Sequence, residues 1–417
     1  MAAKTLYSHA YIVGCLNAQI HPDDLDTSSW RPVLLTSEEY VARRGAYYKS
    51  HVDAMLEAEG QERPKFLQSV RHFCHEVAPE RQEVVLSRSV RRGEETILQV
   101  LEGYHLHVCA FHLYFFPFDI VLVALEIDDS ASELNDLTMA HWWLTNWTQT
   151  FPGFADSRWL ELLEPLRALL PNGNLAALVE EGNNLKIYQI IQLPEDDQTE
   201  ADEALLYELG TFSPIGCVRT DMRQSPSEDY FNNIVQQNVV SAFKNWRALS
   251  LVDSFTVLSA SSSFGYWPWQ HLYFPLIYLR CVFEKTFCAS RNSAYRLDKA
   301  QPNLVGEISQ MEKYYFYKNI SFNFLPSMLY ESMADGIGID AEREELSQQV
   351  KEQEEKQSNL MLTVISVFAV FSVVCDFYST VMAASGGNEM PWLARILLTV
   401  SAVIILFFVR HLSRHRA

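Results

Sequence analysis

The chain has 417 residues with 52 acidic and 33 basic side chains, which gives a formal net charge of −19. A chain this acidic has no excess of cations to displace counterions from phosphates, so it is a poor bulk binder of nucleic acid. Its seven cysteines are scattered without a CxxC pair, which excludes a disulfide framework and a zinc finger and suits a reducing cytosol. Hydrophobic residues make up 48% of the chain, enough for a large core and for more than one domain.

Residues 1–225 predict a cytoplasmic domain of α/β or α+β class. Residues 104–128 predict a β-hairpin, because β-branched and aromatic residues run up to the turn sequence PFD and the apolar run IVLVALEID follows it. Residues 185–193 predict another strand, and residues 140–149 and 158–170 predict helices. This mixture of strands and helices is the basis for the fold class.

Histidines and cysteines in and before the hairpin raise the question of a metal site. They are His72, Cys74, His75, His105, His107, Cys109 and His112. Zinc accepts both residue types. However, no second ligand pair stands at a defined spacing, so we favour structural packing over metal binding.

Residues 226–335 predict a helical cytoplasmic region. The stretch 229–249, DYFNNIVQQNVVSAFKNWRAL, predicts a helix before a serine-rich break. Residues 264–283 are strongly apolar but contain two prolines and three polar side chains. We therefore interpret them as a buried or subunit-contact helix; a third membrane span is the alternative, and it would move the N-terminus to the outside.

Residues 336–358 predict a stalk helix. From Ile339 to Asn359 the chain contains no Gly or Pro and consists of strong helix formers. Apolar and Gln residues spaced by three and four continue from this segment into the apolar stretch that follows, which predicts one helix of about 45 residues. A solvated linker helix is the alternative.

Two apolar segments close the chain. Residues 359–385 predict a first transmembrane helix, which includes sixteen uncharged residues from Leu360 to Cys375. Residues 386–391 form an external loop, residues 392–410 predict a second span, and residues 411–417 form a basic tail. Segments of this length can cross a hydrocarbon core of about 30 Å. Two buried helices of a soluble core are the alternative.

Basic residues predict the orientation. The tail region contains Arg410, Arg414 and Arg416, whereas the loop contains only Glu389 as a charged residue. The positive-inside rule then puts both termini in the cytoplasm. The N-terminus lacks the apolar region of a signal peptide. We therefore expect a multi-pass protein of the inner (plasma) membrane of the cell.

Polar residues in the first span form two stripes. One contains Ser358, Ser372, Asp376 and Ser379, and the adjacent one contains Asn359, Thr363 and Ser366. Ionisable groups at membrane depth usually face water or protein, so in a ring of subunits either stripe could line a pore. Asp376 would then favour cations; an interfacial pair with Arg395 is the alternative. The hydroxyl groups could instead bond to carbonyls one turn earlier. The candidate pore-lining residues are Asn359, Thr363, Ser366, Ser372 and Asp376.

Motifs for catalysis are missing from the sequence. It contains no GxxxxGK[ST] phosphate loop, no GxGxxG that opens a helix, no GxSxG and no HExxH. We therefore expect that the protein is not an enzyme.

A large cytoplasmic domain, a long acidic helix that continues into the first span, a short external loop and a second span together resemble the CorA-type magnesium transporter family. The resemblance covers the architecture of most of the chain and is most specific over about the last 75 residues. The family signature after the first span is Gly-Met-Asn. Here the stretch is SGGNEMPW, in which Gly386 and Asn388 match and Gly387 replaces the methionine.

The resemblance implies a homopentamer whose first span lines a pore for Mg²⁺ or another divalent cation. It assigns the pore mouth to Gly386, Gly387, Asn388 and Glu389. Divergent CorA-like proteins beside type III CRISPR systems look like membrane effectors of antiviral defence, gated by a nucleotide second messenger. A degenerate signature below a large cytoplasmic domain suits that subfamily.

Three functions follow as hypotheses. The first is an oligomeric ion channel or transporter for divalent cations, gated from its cytoplasmic domain. The second is a CRISPR-associated membrane effector activated by a small nucleotide. The third is a membrane-anchored scaffold that does not conduct. The expected partners are the membrane, other copies of the chain and, for the effector, a nucleotide ligand, with no direct binding of nucleic acid.

Overall fold

The chain forms two compact units, residues 1–344 and 345–417. The computed structural model describes residues 4–16, 20–32, 71–92, 95–129, 132–146, 157–170, 173, 185–194, 202–243, 245–260, 274–297, 303–316, 320–321, 324–384 and 392.

A mixed sheet of ten strands, counted over the described residues, organises the first unit. The strands are β1 (Tyr7–Leu16), β2 (Arg31–Pro32), β3 (Arg71–Glu76), β4 (Glu83–Arg92), β5 (Glu95–Phe115), β6 (Val121–Asp128), β7 (Lys186–Gln192), β8 (Val239–Phe243), β9 (Trp246–Ser250) and β10 (Ser254–Ser259). Their order is β2-β3-β5-β6-β1-β7-β10-β9-β8, and β4 pairs with β5 outside this path. Only β7 and β10 pair in parallel; the other pairs are antiparallel.

Helices cover the sheet, and the fold is therefore of mixed α/β class, as predicted. They are α1 (Leu134–Asn146), α2 (Ser157–Leu162), α3 (Glu164–Arg167), α4 (Glu203–Gly210), α5 (Glu228–Asn238), α6 (Phe274–Arg296), α7 (Leu304–Tyr314), α8 (Phe324–Ile337) and α9 (Ile339–Ala384). Helices α1 and α2 thus fall within or close to the predicted helical stretches 140–149 and 158–170.

The predicted hairpin over residues 104–128 is confirmed as β5 and β6. Its turn holds Phe118 at φ 64° and Asp119 at φ 59°, the left-handed backbone that a tight hairpin turn requires. A register shift between Val108 and Ala110 interrupts the alternation of β5, so that Val108 and Phe111 reach the same core. The predicted strand over 185–193 is confirmed as β7.

The two faces of the sheet are covered by different helices. On the first face, Ile12 and Ile187 share a buried core with Trp143 of α1 and Trp159 of α2. On the second face, α6 crosses the strands, because the ring of Tyr278 lies 5.9 Å from that of Tyr188. Side chains at successive strand positions point to opposite faces, which explains how neighbouring residues of β7 serve both layers.

The helix predicted over 229–249 is wrong beyond Asn238. Helix α5 ends there, and β8 and β9 follow. Residues 226–335 are therefore not uniformly helical, since they also contain β10. The β-branched Val239 and Val240 suit a pleated surface, and pairing along the sheet edge decides the structure against local helix propensity.

The predicted buried helix over 264–283 is described only from Phe274 onward, where α6 begins. In this part Phe274, Tyr278 and Phe283 are buried. The ring of Phe283 stacks on Phe116 at 4.4 Å, which fixes α6 near the turn of the hairpin. Residues 264–273 lie outside the described residues.

The second unit contains most of α9, a helix of 46 residues, in agreement with the single long helix predicted. Within it, Met361–Thr380 has a mean hydropathy of 2.0 and no buried residue, and it alone among the described helices has the length and composition to cross a membrane. The predicted second span over 392–410 lies outside the described residues, apart from Trp392.

A buried ion pair within α6 is bonded to Tyr330 of α8. Arg280 Nε donates to Glu284 Oε1 at 2.7 Å, and the Tyr330 hydroxyl donates to Glu284 Oε2 at 2.7 Å. The same guanidinium donates to the carbonyl of Tyr315 and lies 4.7 Å from the centre of the Tyr330 ring. Both charges are buried, so each depends on the other for compensation.

We predict that Arg280→Met destabilises the full chain by about 3–5 kcal/mol, because Glu284 is left as a buried carboxylate without its cation. The double variant Arg280→Met/Glu284→Gln should recover part of this loss. Denaturant unfolding in detergent, followed by tryptophan fluorescence, measures it.

The matched control is Arg71→Met, which breaks the exposed pair between Arg71 and Asp23 at 3.0 Å. It should cost less than about 1 kcal/mol. Equal losses for the two arginine variants would contradict a buried structural pair.

Candidate functional site

The predicted pore-lining residues all lie on α9, but they do not share one face. Each residue advances about 100° around a helix axis, so Ser372 and Asp376 lie about 80° to 180° away from Asn359, Thr363 and Ser366. Only one of the two stripes can therefore face a common axis. The side chains of Ser366, Ser372 and Asp376 are exposed, and that of Thr363 is half-buried.

The hydroxyl groups of Thr363 and Ser366, in the stripe that contains Asn359, bond within the helix, as does that of Ser379 in the other stripe. Thr363 Oγ1 donates to the carbonyl of Asn359, and Ser366 Oγ donates to that of Leu362, both at 2.7 Å. These bonds satisfy the donors without water or a second helix. The alternative that these hydroxyls bond to carbonyls one turn earlier is thus confirmed for Thr363 and Ser366.

The predicted pore mouth, Gly386 to Glu389, lies outside the described residues. The alternative pairing of Asp376 with Arg395 does so too, because Arg395 belongs to the same undescribed stretch.

The start of α9 is bound to α6 by a cluster of hydrogen bonds. Helix α8 ends at Ile337, and Gly338 follows with φ 71°, a backbone conformation that glycine adopts without strain. Lys285 Nζ of α6 donates to the Gly338 carbonyl at 3.2 Å and to Glu342 Oε1 at 3.1 Å. The Lys285 ammonium group thus binds both Gly338, which separates α8 from α9, and Glu342 in the first turn of α9.

Asn292 completes this cluster, which we name the helix clamp and define as Lys285, Asn292 and Glu342. Its amide nitrogen donates to the Glu342 carbonyl at 3.0 Å and to Glu342 Oε2 at 2.8 Å. Burial favours the neutral acid, but the bonds from Asn292 and Lys285 outweigh it and hold the pKa of Glu342 below its usual value. Glu342 is therefore a carboxylate at neutral pH, and the clamp is an ionic joint.

A cation–π contact supports the clamp from α9. The guanidinium of Arg343 lies 4.5 Å from the centre of the Phe316 ring. Because α6 packs on the sheet through Tyr278 and Phe283, a shift of α6 would reach the first turn of α9 directly. No spacing in the sequence marks the clamp, since Lys285 and Asn292 on α6 lie 57 and 50 residues before Glu342 on α9.

The histidines and cysteines singled out in the sequence lie on strands β3 and β5. Among the described residues, no group of three or more His, Cys, Asp or Glu side chains is arranged to hold a metal ion. His105 pairs with Glu83 at the sheet surface. His72 Nε2 lies 3.0 Å from His112 Nδ1, a contact that the sequence spacing did not predict.

Comparison with known proteins adds no relative: no family model, no curated protein and no solved structure matches this chain.

We predict that Lys285→Met accelerates amide hydrogen exchange in the first two turns of α9 by about tenfold or more, since a charged hydrogen bond contributes about 1.5–3 kcal/mol. Exchange of the full chain in detergent, analysed by mass spectrometry, measures this. Lys313→Met is the control, because Lys313 lies over the Tyr314 ring on α7 and is not a clamp residue. Unchanged exchange at the start of α9 would show that the clamp does not hold it.

Proposed function

We propose that the protein is an oligomeric membrane ion channel that its α/β domain gates through α9. One observation carries the proposal: an exposed apolar segment, Met361–Thr380, continues without interruption from a helix whose first turn is bound to the α/β domain.

The apolar segment supports the membrane part of the proposal. Met361, Phe368 and Val373 are 66%, 67% and 68% exposed. Such a surface is costly in water, and its length of twenty residues corresponds to about 30 Å of helix, which matches a bilayer core. Lipid is the solvent in which this surface is stable.

The stripe of Ser372 and Asp376 supports the pore part. A carboxylate inside a membrane costs free energy unless it meets water, a cation or a partner. The hydroxyls of Thr363, Ser366 and Ser379 all donate to carbonyls within the helix, so the carboxylate of Asp376 is the group that decides which stripe needs an aqueous surface. We therefore assign Ser372 and Asp376 to the pore side and the stripe of Asn359, Thr363 and Ser366 to neighbouring helices or lipid.

The resemblance to CorA-type transporters supports a pentamer and a divalent cation such as Mg²⁺. Copies of Asp376 around an axis would form a ring of carboxylates, which favours cations over anions. The helix clamp supplies the connection for gating, because α6 contacts both the sheet and the start of α9.

We predict that the full-length protein conducts cations in planar bilayers, and that Asp376→Asn lowers the permeability ratio of cations to anions several-fold. Recordings use the wild type and Lys285→Met, in which the weakened clamp no longer holds the channel closed. Glu331→Gln, which removes one exposed charge from α8, is the control and should leave the ratio unchanged.

Conductance equal to that of protein-free bilayers in both wild type and Lys285→Met would contradict the proposal and favour a membrane-anchored scaffold. Conductance that requires an added nucleotide would support the channel and identify it as the nucleotide-activated effector.

A further inference from the structure

Polar side chains on four strands of the sheet form a connected chain that includes none of the helix clamp residues. His72 Nε2 of β3 lies 3.0 Å from His112 Nδ1 of β5, and His112 Nε2 lies 3.0 Å from Glu126 Oε2 of β6. The other carboxylate oxygen of Glu126 accepts a hydrogen bond from the Tyr11 hydroxyl at 3.2 Å and lies 3.1 Å from His9 Nε2. We name His72, His112 and Glu126 the proton chain.

The two ends of the proton chain are more exposed than its middle. His72 is half-buried, His112 is buried, and the side chain of Glu126 is 22% exposed. His9, which is also buried, lies against Glu126. Of the two histidines of the chain, His72 is the more exposed, so a proton from solvent enters there.

Hydrogen-bond chemistry determines where the hydrogens are. A carboxylate only accepts, so His112 Nε2 must carry a hydrogen toward Glu126. Between His112 Nδ1 and His72 Nε2 one nitrogen donates and the other accepts. In the neutral state, His72 Nε2–H donates to the bare Nδ1 of His112.

This arrangement can take up one proton without losing a hydrogen bond. When a proton binds His72 Nδ1, the shared hydrogen moves from His72 Nε2 to His112 Nδ1. His72 is then neutral again with its hydrogen on Nδ1, and His112 is an imidazolium that donates to both neighbours. The added positive charge ends beside the Glu126 carboxylate. A second proton would put two hydrogens between the rings or neutralise Glu126, so the capacity is one.

The pKa shifts of His72 and Glu126 agree with these positions of the protons. Burial, and next the neighbouring His112, hold the pKa of His72 well below its usual value, so the charge does not stay on His72. Burial favours neutral Glu126, but hydrogen bonds and charges of His112 and His9 outweigh it and hold its pKa well below the usual value. Glu126 is thus a permanent anion for the imidazolium.

His9 is a further histidine in contact with Glu126, whereas four other groups that face the chain do not compete for the proton. Burial raises the pKa of Cys74 on β3 and of Cys109 on β5 to about 12. Burial also raises the pKa of Tyr7 and Tyr11 on β1 above the usual value. These four groups stay neutral near pH 7.

Further charges and rings lie around the chain. Asp128 on β6 acts on Tyr7, and Glu76 on β3 and Arg31 on β2 act on Cys74. The rings of Tyr114 on β5 and Tyr188 on β7 face the chain: Tyr114 stacks on His72 at 4.2 Å, and Tyr188 lies 6.4 Å from Tyr11. Glu126 remains the only carboxylate in contact with His112 among the described residues.

We propose that the proton chain is a proton-binding site that takes one proton from solvent and gives the α/β domain two protonation states.

The site is connected to the helix that holds the clamp. The ring of Tyr11, which bonds to Glu126, lies 6.4 Å from that of Tyr188, and Tyr188 lies 5.9 Å from Tyr278 of α6. A change of charge beside Glu126 therefore acts on packing against α6. A pH-dependent conductance would rest on the proposed channel function, whereas proton binding does not.

The test is a titration of the full-length protein in detergent, labelled with ¹³C and ¹⁵N histidine, by NMR between pH 5 and 8.5. In wild type, His72 and His112 should respond together in one step that takes up one proton for the pair. In Glu126→Gln this step should move to lower pH by about one unit or more, because the anion that holds the imidazolium is gone. His21→Gln, which removes an exposed histidine, should leave the step in place.

Two independent steps for His72 and His112, or an unchanged step in Glu126→Gln, would overturn the proposal. If Glu126→Gln does not fold, His72→Gln provides the second arm, since it removes the outer ring and keeps Glu126. The proposal then requires that the midpoint of the His112 response changes, and an unchanged response overturns it. Bilayer recordings at pH 5.5 and 7.5 separately test the effect on conductance, so a failure of the channel leaves the NMR result interpretable.

Discussion

Water solvates the apolar surface of α9 poorly, and the proposed membrane role of this protein depends on that constraint. Over Met361–Thr380 no residue is buried, whereas core residues such as Phe283 on α6 are removed from water by their neighbours. A contiguous apolar surface of this size requires either a protein partner or lipid. Its length is about that of a bilayer core, which is why we propose lipid as the solvent of this segment.

The helix clamp binds the first turn of α9 to α6. Lys285 and Asn292 bind both the side chain and the backbone of Glu342. The nearby buried pair of Arg280 and Glu284 keeps α6 and α8 together. Helix α6 packs on the sheet and also binds the start of α9. A movement of the sheet and a movement of the first turn of α9 therefore involve the same helix.

The sequence pattern predicted those elements of the fold whose structure depends on residues close together in the chain. The hairpin of β5 and β6 follows from alternation and a turn, and α9 follows from a stretch without Gly or Pro after Gly338. The strands β8 and β9 escaped prediction, because pairing at a sheet edge overrides the local preference of residues 239–249. The clamp and the proton chain join residues that are distant in sequence, such as His72 and His112, so no spacing could predict them. The two polar stripes of α9 were visible in the sequence, and the bonds within the helix do not separate them, because Thr363 and Ser366 of one stripe and Ser379 of the other all donate to helix carbonyls.

The depth of α9 in a bilayer tests the central claim most directly. An environment-sensitive fluorophore is attached in the variant Val367→Cys/Cys375→Ser and compared with Lys351→Cys/Cys375→Ser, which labels the charged part of the same helix; Cys375→Ser alone gives the background from the other, less exposed cysteines. The account predicts blue-shifted emission at position 367 that lipids with a spin label deep in the acyl chains quench strongly, and aqueous emission at position 351. Aqueous emission without deep quenching at both positions would contradict it.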